Sequence, residues 1–202
     1  NSQEMQQVKS DVERVAERGA VVLVSGESGN GKEVIARYIH DQGGRANGPL
    51  VSVGVAGVAR ENPDAELFGI EHDGQITFGS LEQANGGTLF LKDIADMDQS
   101  TQARLLSALE TNSLLRVGGR EPVEIDVRVI VATSKILAQC VAEGSFREDL
   151  FYHLNDLPLT IPPLKERPED PHSLAQYYLY HYAKQETLTS REVTSGSRPP
   201  VR

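Results

Sequence analysis

Val21-Val-Leu-Val-Ser25, followed without a break by Gly26-Glu-Ser-Gly-Asn-Gly-Lys-Glu33, is a β-branched apolar run that turns abruptly into a glycine-rich loop. The run has the length and composition of a strand covered on both faces. Glycines at 26, 29 and 31 permit positive φ and close backbone approach, so the N–H groups of Gly26, Glu27, Ser28, Gly29, Asn30, Gly31, Lys32 and Glu33 can surround one anion. Lys32 adds a positive charge for the terminal phosphates. Val34, Ile35, Tyr38 and Ile39 are spaced for a helix directly after the loop, its positive N-terminal end aimed at the same point. Residues 26–33 are therefore the candidate cradle for a nucleotide, ATP or ADP. One position departs from the general motif: Glu33 stands where a Ser or Thr hydroxyl would touch Mg²⁺.

The strand-loop-helix unit lies in a chain of 202 residues with 39% hydrophobic residues, enough for one sizeable core or a main domain with a small appendage. The formal net charge of −9 argues against this fragment gripping nucleic acid by itself, because duplex-binding domains present a basic face. Cys140 is the single cysteine, which excludes an internal disulfide framework and points to a reducing, cytoplasmic setting. No apolar stretch reaches bilayer length, and no membrane partner is expected. The start, Asn1-Ser-Gln-Glu-Met5, has neither an initiating methionine nor a signal-peptide pattern, so the chain reads as a piece of a longer protein. The five histidines, 40, 72, 153, 172 and 181, show no metal-ligand spacing.

Working outward, Met5, Val8, Val12, Val15 and Ala16 predict a helix over 5–18, ended by Gly19. Further strands are expected at Leu50-Val-Ser-Val53, at Thr88-Leu-Phe-Leu91 after the turn Asn85-Gly-Gly87, and at Ile125 to Thr133. Between the last two, Gln102, Leu105, Leu106 and Leu109 mark an amphipathic helix with Asp98 or Ser100 as cap. Arg116 and Arg120 flank a Gly-Gly turn and read as solvated. A helix is expected from Pro168 to about Lys184, with Pro placed where its missing N–H costs nothing, and the stretch from Thr187 onward reads as loose. Strands alternating with helices mean an α/β fold with a mostly parallel sheet.

With these residues in place, the chain resembles the AAA+ central domain of the bacterial sigma-54-dependent transcriptional activators, the enhancer-binding response regulators. Gly26-Glu-Ser-Gly-Asn-Gly-Lys-Glu33 is similar to the family's Walker A, which also ends in Glu. Glu66-Leu-Phe-Gly69, Leu81-Glu-Gln-Ala-Asn-Gly-Gly-Thr-Leu-Phe-Leu91, Arg116-Val-Gly-Gly-Arg120, Asp126-Val-Arg-Val-Ile130 and Phe146-Arg-Glu-Asp-Leu150 follow in the family's order. The resemblance implies a P-loop NTPase domain over residues 1–160, the start of a helical lid over 161–186 and a disordered tail over 187–202. It also implies two-component context, with a receiver before this segment and a DNA reader after it.

The departures from the family carry as much information as the matches. The interval Ile70-Glu-His-Asp-Gly-Gln-Ile-Thr-Phe-Gly-Ser80 is shorter than the family's sigma-contacting loop and lacks its Gly-Ala-Phe-Thr-Gly-Ala signature, as in NtrX-type members, which this chain most resembles. Remodelling of a sigma-54 polymerase is therefore not expected. Where the family's Walker B strand ends in Asp-Glu, for Mg²⁺ and the attacking water, this chain has Lys92 and Asp93. Lys92 cannot ligate a cation, although its stem could carry its charge to solvent, and Asp93 is left as metal partner or as base. Ser134 replaces the polar sensor Asn, Gly54 replaces the Asn that contacts the catalytic Glu, and of two trans-acting arginines Arg147 is matched while His153 stands at the second.

These residues lead to an expectation of an ATP- or ADP-binding regulatory domain with slow hydrolysis, with Asp93 and Arg147 the catalytic candidates and Asp93 the one candidate Mg²⁺ ligand. Loss of a single transition-state arginine can cost roughly 10³-fold in phosphoryl transfer. Two alternatives stay open: an active ATPase that assembles as a ring, with Arg147 acting across the subunit boundary, or a truncated remnant. Self-association as ring or dimer is compatible with the family pattern.

Overall fold

The computed structural model describes residues 3–55 and 62–161. The helix expected from Pro168 and the segment 187–202 lie outside the described residues. Nine strands and seven α-helices follow one another in these two segments. The first units are α1 (Gln3–Ala16), β1 (Val22–Ser25), α2 (Lys32–Gln42) and β2 (Leu50–Gly54). Next come α3 (Pro63–Phe68), the strands β3 (Ile70–His72) and β4 (Gln75–Thr77), α4 (Ser80–Gln83), β5 (Thr88–Lys92) and α5 (Gln99–Thr111). The remainder is β6 (Ser113–Leu114), β7 (Val123–Glu124), β8 (Arg128–Thr133), α6 (Leu137–Ala142), α7 (Glu148–Leu154) and β9 (Leu157–Thr160).

Five strands form one parallel sheet in the order β2-β5-β8-β1-β9, with Val22 opposite Ile130 and Leu50 opposite Thr88 in register. Strand alternation splits the core into two layers. Val22, Val24, Phe90, Ile130, Ala132 and Leu159 face α1 and α2, where they meet Val12, Val15, Ile35 and Ile39. Leu23, Leu89, Leu91, Val129 and Val131 face the other way, toward Phe68, Leu81, Leu105, Leu150 and Leu154. Burial on both sides is why these strands read as unbroken apolar runs. Each fully buried Leu, Ile or Phe contributes about 1.5–3 kcal/mol, so this double layer outweighs the surface ion pairs.

Two polar groups lock helices to the sheet, and a third caps α5. Arg128, at the start of β8 and 3% exposed, donates from Nη1 to Ala16 O (2.8 Å) and from Nη2 to Val15 O (2.7 Å). It thereby satisfies carbonyls that the C-terminal end of α1 leaves open. His40 Nδ1 lies 2.9 Å from Thr88 Oγ1, tying α2 to β5 inside the core. Asp98 caps α5 by accepting from Thr101 N–H at 2.9 Å.

The structure departs from the sequence reading at several points. The first helix runs Gln3–Ala16 rather than 5–18, and the strand expected from Ile125 begins at Arg128, because Ile125 N–H is spent on Asn112 O in the preceding turn. Strand β9 was not foreseen; its short run, interrupted by Pro158, is placed by pairing with β1. Arg116 is not solvated. It is 11% exposed, donates from Nε and Nη2 to both Glu82 oxygens and from Nη1 to Glu71 Oε2 at 3.0 Å, and these bonds hold its guanidinium firmly charged. Arg120 is exposed.

Candidate functional site

The parallel register brings the C-terminal ends of the strands to one edge: Ser25 lies opposite Thr133 and Thr160, and Gly54 opposite Lys92. In open parallel sheets this edge is where ligands bind. Here β1 leads into the glycine-rich loop. Gly29 and Gly31 both adopt φ of 82°, the left-handed region in which a Cβ is unfavourable, and Gly31 opens α2. Gly26 N–H donates to Thr133 O at 3.1 Å, and Ile161 N–H to Ser25 O at 2.8 Å, so the base of the loop is clamped between β8 and the chain after β9. Glu27, Ser28 and Gly29 are exposed, whereas Asn30 is buried and forms the inner wall of the turn.

Lys32 is folded into this loop. Its ammonium donates to Gly26 O at 2.7 Å and Glu27 O at 2.6 Å. Burial lowers its pKa, and the charge of Asp93 partly offsets that. Asp93 itself, half-buried, takes the left-handed conformation at φ 57°, ψ 45°, one that aspartate tolerates better than most residues, and starts a 3₁₀ turn through Ile94–Asp96. Lys92, the last residue of β5, does not end free in solvent: its Nζ lies 3.5 Å from Glu33 Oε2 in the first turn of α2. Beside it, a Cβ added at Gly54 would lie 3.9 Å from Lys92 Cε, an ordinary contact distance, so Gly54 and the lysine stem are neighbours.

The structure thus collects residues 26–33, Gly54, Lys92, Asp93 and, directly after β8, Ser134 at one edge, and puts His153 elsewhere. Ser134 is exposed, while the neighbouring Thr133 points inward and exchanges hydrogen bonds with the Lys135 backbone at 3.0 Å. Arg147 caps α7 and makes a fork with its own neighbour, Nε to Asp149 Oδ1 at 3.0 Å and Nη2 to Oδ2 at 2.8 Å. His153 lines a cleft of about 470 Å³ with Val21, Leu109, Asn112 and Tyr152. Val21 precedes β1 and the loop follows it, so this cleft opens at the opposite edge of the sheet from residues 26–33. Only its position on α7 links His153 to Arg147.

The interval that is short in this chain folds into the hairpin β3–β4, turned by Asp73 (φ 49°) and Gly74 (φ 77°), the pair of positive φ values typical of a type I′ turn. Backbone meets backbone at its base, since a Cβ on Gly79 would come within 2.3 Å of Gly69 N. Arg116, reaching Glu71 on β3 and Glu82 on α4, fastens the hairpin to the domain.

Mg²⁺ would be the companion of a polyphosphate on this fold, and the residues present do not fit it. It asks for oxygen ligands in near-octahedral array. The position after Lys32 carries Glu33, already facing an ammonium, and the end of β5 carries that ammonium, Lys92, which repels a divalent ion by several kcal/mol at contact range even at the effective dielectric of a protein. Asp93 alone is left, and no group of three or more His, Cys, Asp or Glu among the described residues could hold a metal.

A parallel sheet in this order, with a glycine-rich loop between a central strand and the following helix, defines the AAA+ class of P-loop NTPases. Within that class the chain belongs to the sigma-54 interaction domain family, whose model matches residues 1–160. It is 40% identical over 200 residues to the transcriptional regulatory protein FlbD of Caulobacter vibrioides, an overlap of 96% of this chain and 44% of that protein. NtrX of Brucella abortus, solved in complex with ATP, matches with a TM-score of 0.82 and 42% identity over 92% of this chain and 43% of that one. NtrX solved with ADP matches with a TM-score of 0.83 and 42% identity, over 92% and 42% of the two chains. The chain spans less than half the length of these relatives. Among the described residues no helix is long and apolar enough to cross a membrane.

Proposed function

We propose that this domain is the nucleotide-sensing module of a bacterial transcriptional regulator: ATP or ADP seated at residues 26–33 biases self-association, as ring or dimer, while hydrolysis is slow. One observation carries the reading. The loop after β1 holds Gly29 and Gly31 in left-handed conformations directly before α2, with the Lys32 ammonium inside the same turn. Polyphosphate binding exchanges the two carbonyl acceptors of Lys32 for phosphate oxygens, a stronger charge-assisted pairing. That NtrX, a relative 42% identical over 92% of this chain, was solved with ATP and with ADP supports the same ligand here.

Slow turnover follows from what the edge lacks. Asp93 is the candidate to orient water, and Arg147, at the start of α7, would act on a neighbouring subunit's nucleotide after giving up Asp149. The hairpin β3–β4, closed at its base by Gly69 and Gly79, supports a regulator that does not remodel a sigma-54 polymerase. In this reading residues 1–160 are the nucleotide domain, 161–186 begin a lid and 187–202 form a tail; DNA is contacted by another part of the parent protein, in the cytoplasm.

The test is a calorimetric titration with ATP and ADP, paired with phosphate release in Mg²⁺ and ATP, for the chain and its Lys32→Ala variant. Lysine-dependent binding with little release is the expected result. Brisk lysine-dependent turnover would make the chain a working ring ATPase instead, and no binding at all would mark it as a remnant.

A further inference from the structure

We infer that the site takes its adenine nucleotide free of divalent metal, with the Lys92 ammonium supplying from the protein the positive charge that a metal would otherwise bring. This rests on the nucleotide reading above and specifies the form of the ligand: an uncomplexed nucleoside di- or triphosphate.

The placement of Lys92 comes first. Strand β5 ends on it, in register with Gly54, and its Nζ reaches Glu33 Oε2 at 3.5 Å, one residue beyond Lys32. A second ammonium therefore stands at the mouth of the phosphate loop, delivered by a strand that is not part of the loop.

Its commitments come second. The contact with Glu33 is long, and both side chains are well exposed, at 37% and 55%. Such a pair is worth little and exchanges readily. Lys135, two residues beyond the end of β8, is held more closely, 2.6 Å from Asp96. Lys92 is thus the cation best able to swing to a phosphate oxygen, where the acceptor carries more charge than a carboxylate.

Charge balance comes third. Lys32 belongs to the loop with or without a metal, and Lys92 adds one further positive charge at its mouth. Of the two carboxylates at this edge, Glu33 faces Lys92 and the charge of Asp93 acts on Lys32. A metal entering here meets an ammonium at the end of β5 and must push it aside before any carboxylate at this edge can face it. Polyphosphate entering alone finds two ammoniums and a ring of backbone N–H groups.

Calorimetric titration of ATP into the 202-residue chain, once with Mg²⁺ in excess and once with EDTA, tests this. The expected result is affinity in EDTA within about threefold of that in Mg²⁺, or tighter; a loss of about tenfold or more in EDTA overturns the inference and leaves the nucleotide reading standing. Absence of binding in both buffers removes the two together. Lys92→Met, which keeps the stem and drops the charge, is expected to lose about tenfold or more in EDTA and to regain part of it with Mg²⁺, while Lys92→Arg keeps metal-free binding. Unchanged EDTA affinity in a folded Lys92→Met protein would remove Lys92 from the role, and thermal melts of both variants report whether they fold.

Discussion

Arg116 and Glu82 meet through two parallel hydrogen bonds of 2.8 Å, Nε to Oε1 and Nη2 to Oε2, with only 11% and 10% of the two side chains exposed. The same guanidinium bonds Glu71 and stands 5.7 Å from the centre of the exposed Phe78 ring. Geometry of this kind differs from a surface pair because removing one partner strands the other in a dry site. Arg116→Ala is expected to cost about 3 kcal/mol, since Glu82 keeps its burial and loses both donors. Urea denaturation measures it; a change below about 0.5 kcal/mol would show that the fork is ornamental to stability.

Gly29 has open space around its would-be Cβ, so its requirement is purely conformational, with φ at +82°. Gly29→Ala is expected to destabilise the fold by about 1–2 kcal/mol through backbone strain alone. Nucleotide affinity should fall further than stability does, because the strained turn no longer aims its N–H groups together. Denaturation midpoints and ATP-induced shifts in melting temperature, read side by side, separate the two effects.

Burial lowers the pKa of His40, and the nearby Asp41 only partly restores it. The native value lies below the unfolded one, so neutral His40 contributes stability that is present above about pH 6.5 and is lost as pH falls toward and through the native value. Stability should therefore drop measurably between about pH 7 and pH 5.5, and a His40→Gln variant should flatten the curve in that window. An equally steep profile in the variant would assign the loss to other groups.

Restoring the family's acid pair with Lys92→Asp and Asp93→Glu is expected to raise Mg²⁺-dependent phosphate release by about 10²-fold, the lower end for a placed general base. Phosphate release at the native level in a variant that still binds ATP would show that the missing arginine at His153, and not the strand end, limits turnover.

Local patterns carried much of the architecture because each element announces itself within a few residues. The apolar run Val21–Val24, glycines 26, 29 and 31 and the helical spacing after Lys32 defined strand, loop and helix before any tertiary contact was considered. A cap at Asp98 or Ser100 was legible for the same reason, and the structure takes Asp98. Strand β9 and the hairpin β3–β4 were not, and of β6–β7 only the hairpin-like Gly-Gly turn was, since short or proline-containing strands have weak intrinsic preference and are selected by their partners.

What the amino-acid order determined by itself was the class of fold and the phosphate-cradling turn, both products of short-range periodicity and glycine placement. What only the tertiary structure decided was which charges face each other: Lys92 meeting Glu33, Arg116 bridging Glu71 and Glu82, and His153 turning to the edge away from the loop. Lys92 and Glu33 lie 59 positions apart along the chain, and Arg116 and Glu82 lie 34 apart. Their meeting depends on strand register and helix direction, which arise from the packing of the whole sheet and not from any segment read alone.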